Sequence, residues 1–310
     1  MYDYAFIGND SISLLFLKAV IKEKRPRFIV TGNDRIEGRG RKLTPSLLTS
    51  FASENSIECI KTSEPNSEDS LKYIREMGSV DFFFVFSFGY YLKNDFLNIP
   101  SRMCINIHPS LLPLYRGAAP INRCIMNGDK KSGVSFYKMT LKMDAGPLII
   151  SKEIILEEDE ISLTLREKIV RKTAEIFIDF DWEKDFPMTN QDDSISSSAP
   201  KIMKNEFVLN LNLNAEKMKS HINGLSEYGI KCFLNRKKIK VFSASLYEDR
   251  SQKDAGTIEI KDKRIIMNCI KGSISLNEIQ PDGKRIMSAE SYINGYQLKN
   301  GDKICAEFLE

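Results

Sequence analysis

A chain of 310 residues is long enough for two domains with cores of their own, and 42% hydrophobic against 28% charged residues excludes general disorder or a fibrous repeat. Lys and Arg number 45 against 42 Asp and Glu, a net charge of only +3, yet from residue 201 onward 19 basic residues face 14 acidic ones, so the last third is the part suited to a polyanionic partner. No window offers the roughly 18 uncharged apolar residues of a membrane span, the start lacks a leader pattern, and the cysteines at 59, 104, 124, 232, 269 and 305 form no C-x-x-C pair, so a cytoplasmic protein with reduced thiols, no membrane contact and no metal site is expected.

Short apolar runs alternate with amphipathic ones through the first 180 residues, the pattern of βαβ units around a parallel sheet. Strands are predicted at 4–8, 27–31, 56–60, 80–86 and 103–107, and helices at 11–22, 45–54, 67–76, 118–127 and 163–178. Residues 81–86 are apolar on both alternating faces, which requires a central strand covered on both sides, hence a doubly wound α/β domain over 1–184. Behind the first strand, Gly8-Asn9-Asp10-Ser11-Ile12-Ser13 lacks the glycine spacing that lets a backbone approach a dinucleotide pyrophosphate, so a nicotinamide enzyme is not expected. Next come Arg35, Arg39, Arg41 and Lys42 around Gly38 and Gly40, a flexible basic loop that by itself reads as a solvated turn or a phosphate contact.

The fourth strand runs into Phe86-Ser87-Phe88-Gly89-Tyr90, where Gly89 suits a slot and Phe88 and Tyr90 read equally as its apolar walls or as core. The fifth ends on Asn106-Ile107-His108, polar side chains at the carboxyl end of a strand, where an open α/β sheet carries its chemistry. If an amine attacks a carbonyl or formyl carbon, the Asn106 amide can donate to the developing oxyanion. His108, two residues on and so on the same face, can exchange a proton near neutral pH or help hold that oxygen as a cation. Asp144 can pair with His108 or take up the amine proton, and Ala145-Gly146 behind it is read as backbone able to approach a ligand closely. Residues 185–202 are polar and weakly patterned, a linker, and 203–310 read as one helix near 215–223 followed by β runs at 239–246, 256–260, 265–269 and 273–279, a smaller, mainly β barrel.

The stretch holding Asn106, His108, Ser110-Leu111-Leu112-Pro113, Arg116-Gly117 and Asp144-Ala145-Gly146 resembles the signature of the folate-dependent formyltransferases. The resemblance implies a Rossmann-like catalytic domain with an OB-like second domain, 10-formyltetrahydrofolate as formyl donor, and Asn106, His108 and Asp144 as the catalytic set. It places the folate against Phe86, Ser87, Phe88, Gly89 and Tyr90, against Ser110, Leu111, Leu112 and Pro113, and against Ala145 and Gly146. Within the family, the Gly38–Ser46 loop and the Pro281–Glu290 segment are similar to those of the methionyl-tRNA formyltransferases, which implies initiator methionyl-tRNA as acceptor, contacted by Arg35, Arg39, Arg41 and Lys42. Arg236, Lys237, Lys238 and Lys240 form a further basic cluster that suits a tRNA backbone or an exposed hairpin. The chain departs from that group at 8–10, 198, 207–210 and 224–229. A sugar-nucleotide N-formyltransferase shares the trio, and a non-catalytic RNA-binding protein shares the fold; the Arg39 loop disfavours the first and the intact trio the second. Nothing in the sequence demands more than a monomer.

Overall fold

Residues 2–37, 42–248 and 253–307 are described by a computed structural model, with the backbone alone described at 35–37, 42 and 43. The first half of the chain runs β1 (Tyr4–Gly8), α1 (Ser11–Val20), β2 (Phe28–Thr31), β3 (Arg35–Glu37), β4 (Lys42–Thr44), α2 (Leu47–Glu54), β5 (Glu58–Lys61), α3 (Glu68–Glu76), β6 (Phe82–Phe86), α4 (Asn94–Leu97), β7 (Met103–His108), β8 (Arg116–Gly117), α5 (Pro120–Asn127), β9 (Lys131–Lys138), β10 (Leu148–Ile155) and α6 (Ser162–Asp179). All five strands and five helices expected here form, with ends moved by at most two residues. Their starts are chemically marked: Asp10, Ser46 and Ser67 cap α1, α2 and α3 by accepting backbone N–H bonds inside the first turn.

The main sheet has the order β10-β9-β7-β6-β1-β2-β5. Strands β5, β2, β1, β6 and β7 are parallel, whereas β9 is antiparallel to β7, so the sheet is mixed at the edge where the expectation was parallel throughout. The chain starts at β1, moves outward through β2 and β5, then returns to β6 and moves the other way, which sets the switch point between β1 and β6. Across it, Ser13 donates to the Phe86 carbonyl (2.5 Å), the Asn9 N–H donates to the Ser87 carbonyl (3.1 Å) and Ser87 donates to Asp10 (2.5 Å). Every residue of β1 and of β6 is buried, as their two-faced apolar sequences require. Phe84 packs at 4.9 Å between ring centres on both Phe177 and Trp182, the chain's single tryptophan, whose indole N–H donates to the Phe177 carbonyl.

Residues 1–118, 133–154 and 166–199 form one compact unit, and 119–132, 155–165 and 200–310 the other. Strand β11 (Ser198–Ala199) closes the first unit, and the second continues through α7 (Ala215–Gly224), β12 (Ile230–Leu234), β13 (Lys237–Glu248), β14 (Ile258–Lys261), β15 (Arg264–Asn268), β16 (Ser273–Pro281), β17 (Met287–Ser288), α8 (Ala289–Tyr296) and β18 (Ile304–Cys305). Its sheet has the order β14-β15-β16-β13-β12-β18 with β17 on β16, and every pairing with a resolved register is antiparallel. The two ends of that path meet: Ile304 N–H donates to the Gly256 carbonyl and Ile258 N–H to the Asp302 carbonyl, both at 2.8 Å. The sheet therefore curls into the barrel expected from the sequence, with bulges in β13 supplying the bend. Asn235-Arg236 and Asp262-Lys263 turn its hairpins with positive φ at both positions of each pair, the geometry that matches strand twist. Strand β12 and helix α8 are additions to the expected elements. Among the described residues no helix is long and apolar enough to cross a membrane.

Candidate active site

Asn106 and His108 project from the end of β7, and the antiparallel neighbour β9 sets Tyr137 opposite Asn106 and Ser135 opposite His108. Directly opposed residues share a face and touch. The Asn106 amide nitrogen donates to the Tyr137 hydroxyl at 3.0 Å, and that hydroxyl donates to Asp144 Oδ1 at 2.8 Å. Asp144 Oδ2 accepts the Gly117 N–H at 2.7 Å and lies 3.7 Å from His108 Nδ1. His108 Nε2 is 2.8 Å from the Tyr115 carbonyl. A carbonyl only accepts, so Nε2 carries a hydrogen and Nδ1 is the nitrogen left facing the carboxylate. His108 and Asp144 are 4% and 9% exposed, which keeps the pair at a nearly dry edge of the sheet.

The three expected residues thus come together, and a fourth, Tyr137, links two of them. Burial first, and the Asp144 charge second, push the Tyr137 phenol well above its ordinary range, so it remains a hydroxyl at any working pH. The sequence reading missed it because β9 went unread as a strand.

Asp144 holds a positive φ of 50°, a conformation that Asp tolerates better than most residues. Gln191 secures that turn: its amide nitrogen donates to the Asp144 carbonyl (3.0 Å) and the Gly146 carbonyl (2.7 Å), and its oxygen accepts from Arg116 Nε (3.1 Å) and Nη2 (2.7 Å). Asp193 completes the clasp with an ion pair to Arg116 at 2.8 Å and another to Lys142. Strand β11 pairs with β8, Ser198 beside Arg116 and Ala199 beside Gly117. Much of the stretch expected as linker is therefore bonded into the site. At Gly146 φ is not positive, and a Cβ there would collide with the Lys138 carbonyl, so the glycine lets the chain pack closely on β9.

Around the switch point the candidate folate contacts divide. Phe86 and Phe88 are 0% and 3% exposed, so both rings pack in the core. Ser87 and Gly89 are exposed, both with positive φ, and a Cβ on Gly89 would meet nothing within 4 Å, so the main chain there borders open space. Tyr90 is half-buried with its ring 4.9 Å from that of Phe88. Ser110 is buried and donates to the Leu114 carbonyl (2.6 Å), Leu112 is buried with its N–H on Ser135 Oγ (3.1 Å), and Leu111 and Pro113 are half-buried. Ala145 is half-buried beside Asp144. Arg35 and Lys42 stand on the paired strands β3 and β4, while Arg39 and Arg41 lie outside the described residues. In the second unit Arg236, Lys237 and Lys238 are exposed on the β12–β13 hairpin, with Lys237 over the Tyr296 ring at 5.5 Å, and Lys240 donates to the Tyr228 carbonyl.

An amide donor, an imidazole and a buried carboxylate at the carboxyl end of β7 are what group transfer from a carbonyl carbon needs, and the family follows: the formyl transferase model matches residues 5–180 and the formyl transferase C-terminal domain model residues 201–297. The chain belongs to the formyl transferase family. It is similar to the methionyl-tRNA formyltransferase of Dictyoglomus thermophilum, 34% identical with 96% of this chain and 98% of that protein covered. The methionyl-tRNA formyltransferase of Thermotoga neapolitana is 31% identical over 96% of this chain and 97% of its own. Among solved structures, an N-formyltransferase from Helicobacter canadensis, in complex with folinic acid and dTDP-3-aminofucose, shares the fold with a TM-score of 0.64 at 17% identity, covering 91% of this chain and all of that one.

Proposed function

We propose that this chain transfers the formyl group of 10-formyltetrahydrofolate to the α-amino group of methionine esterified to initiator tRNA, leaving formylmethionyl-tRNA and tetrahydrofolate. The observation that carries the acceptor is the similarity to methionyl-tRNA formyltransferases through both domains, at 31% and 34% identity over 96% of the chain. The open main chain at Ser87 and Gly89, at the β1/β6 switch point, suits a planar heterocycle held by backbone groups, and so fits a folate. Bound there, the folate supplies an activated formyl carbon on its N10.

Every other task falls to side chains of β7 and the Asp144 turn. One amide hydrogen of Asn106 is spent on Tyr137, and the second is free to donate to the formyl oxygen as it gains negative charge. His108, its Nε2–H tied to Tyr115, offers Nδ1 for proton exchange or, once protonated, a positive charge beside that oxygen. Asp144, held as an acceptor by Tyr137 and Gly117, lies 3.7 Å from that imidazole and receives the proton lost by the attacking amine. The new C–N bond forms as the bond from the formyl carbon to N10 breaks, and N10 takes up a proton. Arg39, Arg41, Arg35 and Lys42 would face the acceptor end of the tRNA.

Asn106→Ala, His108→Ala and Asp144→Ala are each expected to lower kcat by about 10²- to 10⁴-fold with thermal unfolding little changed. Steady-state formylation beside a melting curve reads this, and a folded variant within threefold of wild type loses its place in the mechanism.

A further inference from the structure

We propose that Tyr137 is a positioning residue that fixes which end of the Asn106 amide faces the reacting formyl oxygen. This rests on the catalytic reading of Asn106 above and adds a residue to it. A phenol has one hydrogen to give, and here it goes to Asp144 Oδ1 at 2.8 Å. Toward Asn106 the same oxygen therefore offers only a lone pair. The amide must turn its NH2 end to Tyr137, as the 3.0 Å contact has it, because the reversed amide would set two acceptors face to face. One hydrogen of the NH2 is consumed by that bond, and the other is left in a fixed direction.

Burial makes the choice binding. Tyr137 is 2% exposed, so on its side the half-buried Asn106 would set a misturned amide oxygen against the phenol oxygen and not against water. The β7–β9 register holds the two side chains opposite each other. Asn106 and Asp144, far apart in sequence, are thus set by one hydroxyl: it orients the first and occupies one oxygen of the second. Without it the amide can present its carbonyl to the formyl oxygen, which repels.

The full chain is assayed on whichever acceptor the wild type formylates. Tyr137→Phe, which removes only the hydroxyl, is expected to lower kcat by about 10- to 100-fold while both KM values stay within about threefold. In an Asn106→Ala background the same change should cost less than about threefold, since the group it positions is gone. An unchanged kcat in Tyr137→Phe, or a loss that multiplies in full with that of Asn106→Ala, overturns the proposal. Should Tyr137→Phe not fold, hydrogen exchange of the Asn106 side-chain amide in the wild type decides: one slowly exchanging hydrogen supports the proposal, and two fast ones overturn it. A wild type active only on an amino sugar nucleotide would overturn the acceptor alone. Full activity in Asn106→Ala would overturn the catalytic reading, whereas full activity in Tyr137→Phe beside an impaired Asn106→Ala overturns only the role of Tyr137.

Discussion

Gly117 is the residue on which the carboxylate depends most plainly. Its N–H donates to Asp144 Oδ2 at 2.7 Å, its φ is 124°, and a Cβ would lie 2.7 Å from the Ala199 carbonyl oxygen. Left-handed backbone and a main-chain neighbour both exclude a side chain. Gly117→Ala is therefore expected to cost about 1–3 kcal/mol in backbone strain alone and to lower kcat by loosening Asp144; denaturant unfolding and steady-state rates check the two effects, and an unchanged unfolding midpoint would contradict the strain. Asn106, His108 and Asp144 are readable from sequence because a strand end places alternate residues on one face and the rest of the signature surrounds them. Phe88 is less legible, because an aromatic beside a glycine has the same composition whether it lines a slot or fills a core, and the packing alone shows that its ring is buried. Gly146 is ambiguous in the same way, since a close approach to β9 and one to a ligand both demand the absence of a Cβ.

At the scale of elements, β9 and the 185–199 segment are the parts next to the site whose structure the sequence did not reveal. Strand β9 is not among the strands expected from the sequence, so its cross-strand pairing with β7, and Tyr137 with it, stayed out of view. The segment after α6 is polar and short of periodicity, which is the composition of a linker, but its polar groups are spent on the site. Gln191 alone makes four hydrogen bonds there, two to carbonyls of the Asp144 turn and two from Arg116. Sequence periodicity reports burial of apolar faces and is blind to a strap held by amide and guanidinium groups. Gln191→Ala is expected to destabilise the fold by about 1–2 kcal/mol through the lost bonds and to lower kcat by about tenfold, because a small displacement of a catalytic group is costly. Unfolding midpoint and turnover measured on the same preparation test this, and a normal kcat would show that the Asp144 turn holds without the strap.

On the scale of the molecule, the doubly wound sheet is legible because apolar runs of strand length alternate with capped amphipathic helices, and the curled sheet because short β runs follow one another across turn residues. The units are not contiguous in the chain: within the second, the Asn122 amide donates to the Gly224 carbonyl (2.8 Å), Ser162 shares a hydrogen with Ser226 (2.8 Å) and Lys219 reaches the Glu158 carbonyl (2.7 Å), so helix α5 and the 155–165 stretch pack with the later residues. Such long-range bonds leave no mark on local patterning. The basic excess after residue 200 and the exposed β12–β13 hairpin belong to that second unit, and they suit an acceptor carrying many phosphates. The most direct measurement is the wild-type kcat/KM for formyl transfer from 10-formyltetrahydrofolate to methionyl initiator tRNA and, side by side, to an amino sugar nucleotide. Transfer to the tRNA at least about 10³-fold more efficient, and weakening steeply with salt, is the expected result; rapid formylation of the sugar nucleotide with none on the tRNA would contradict it.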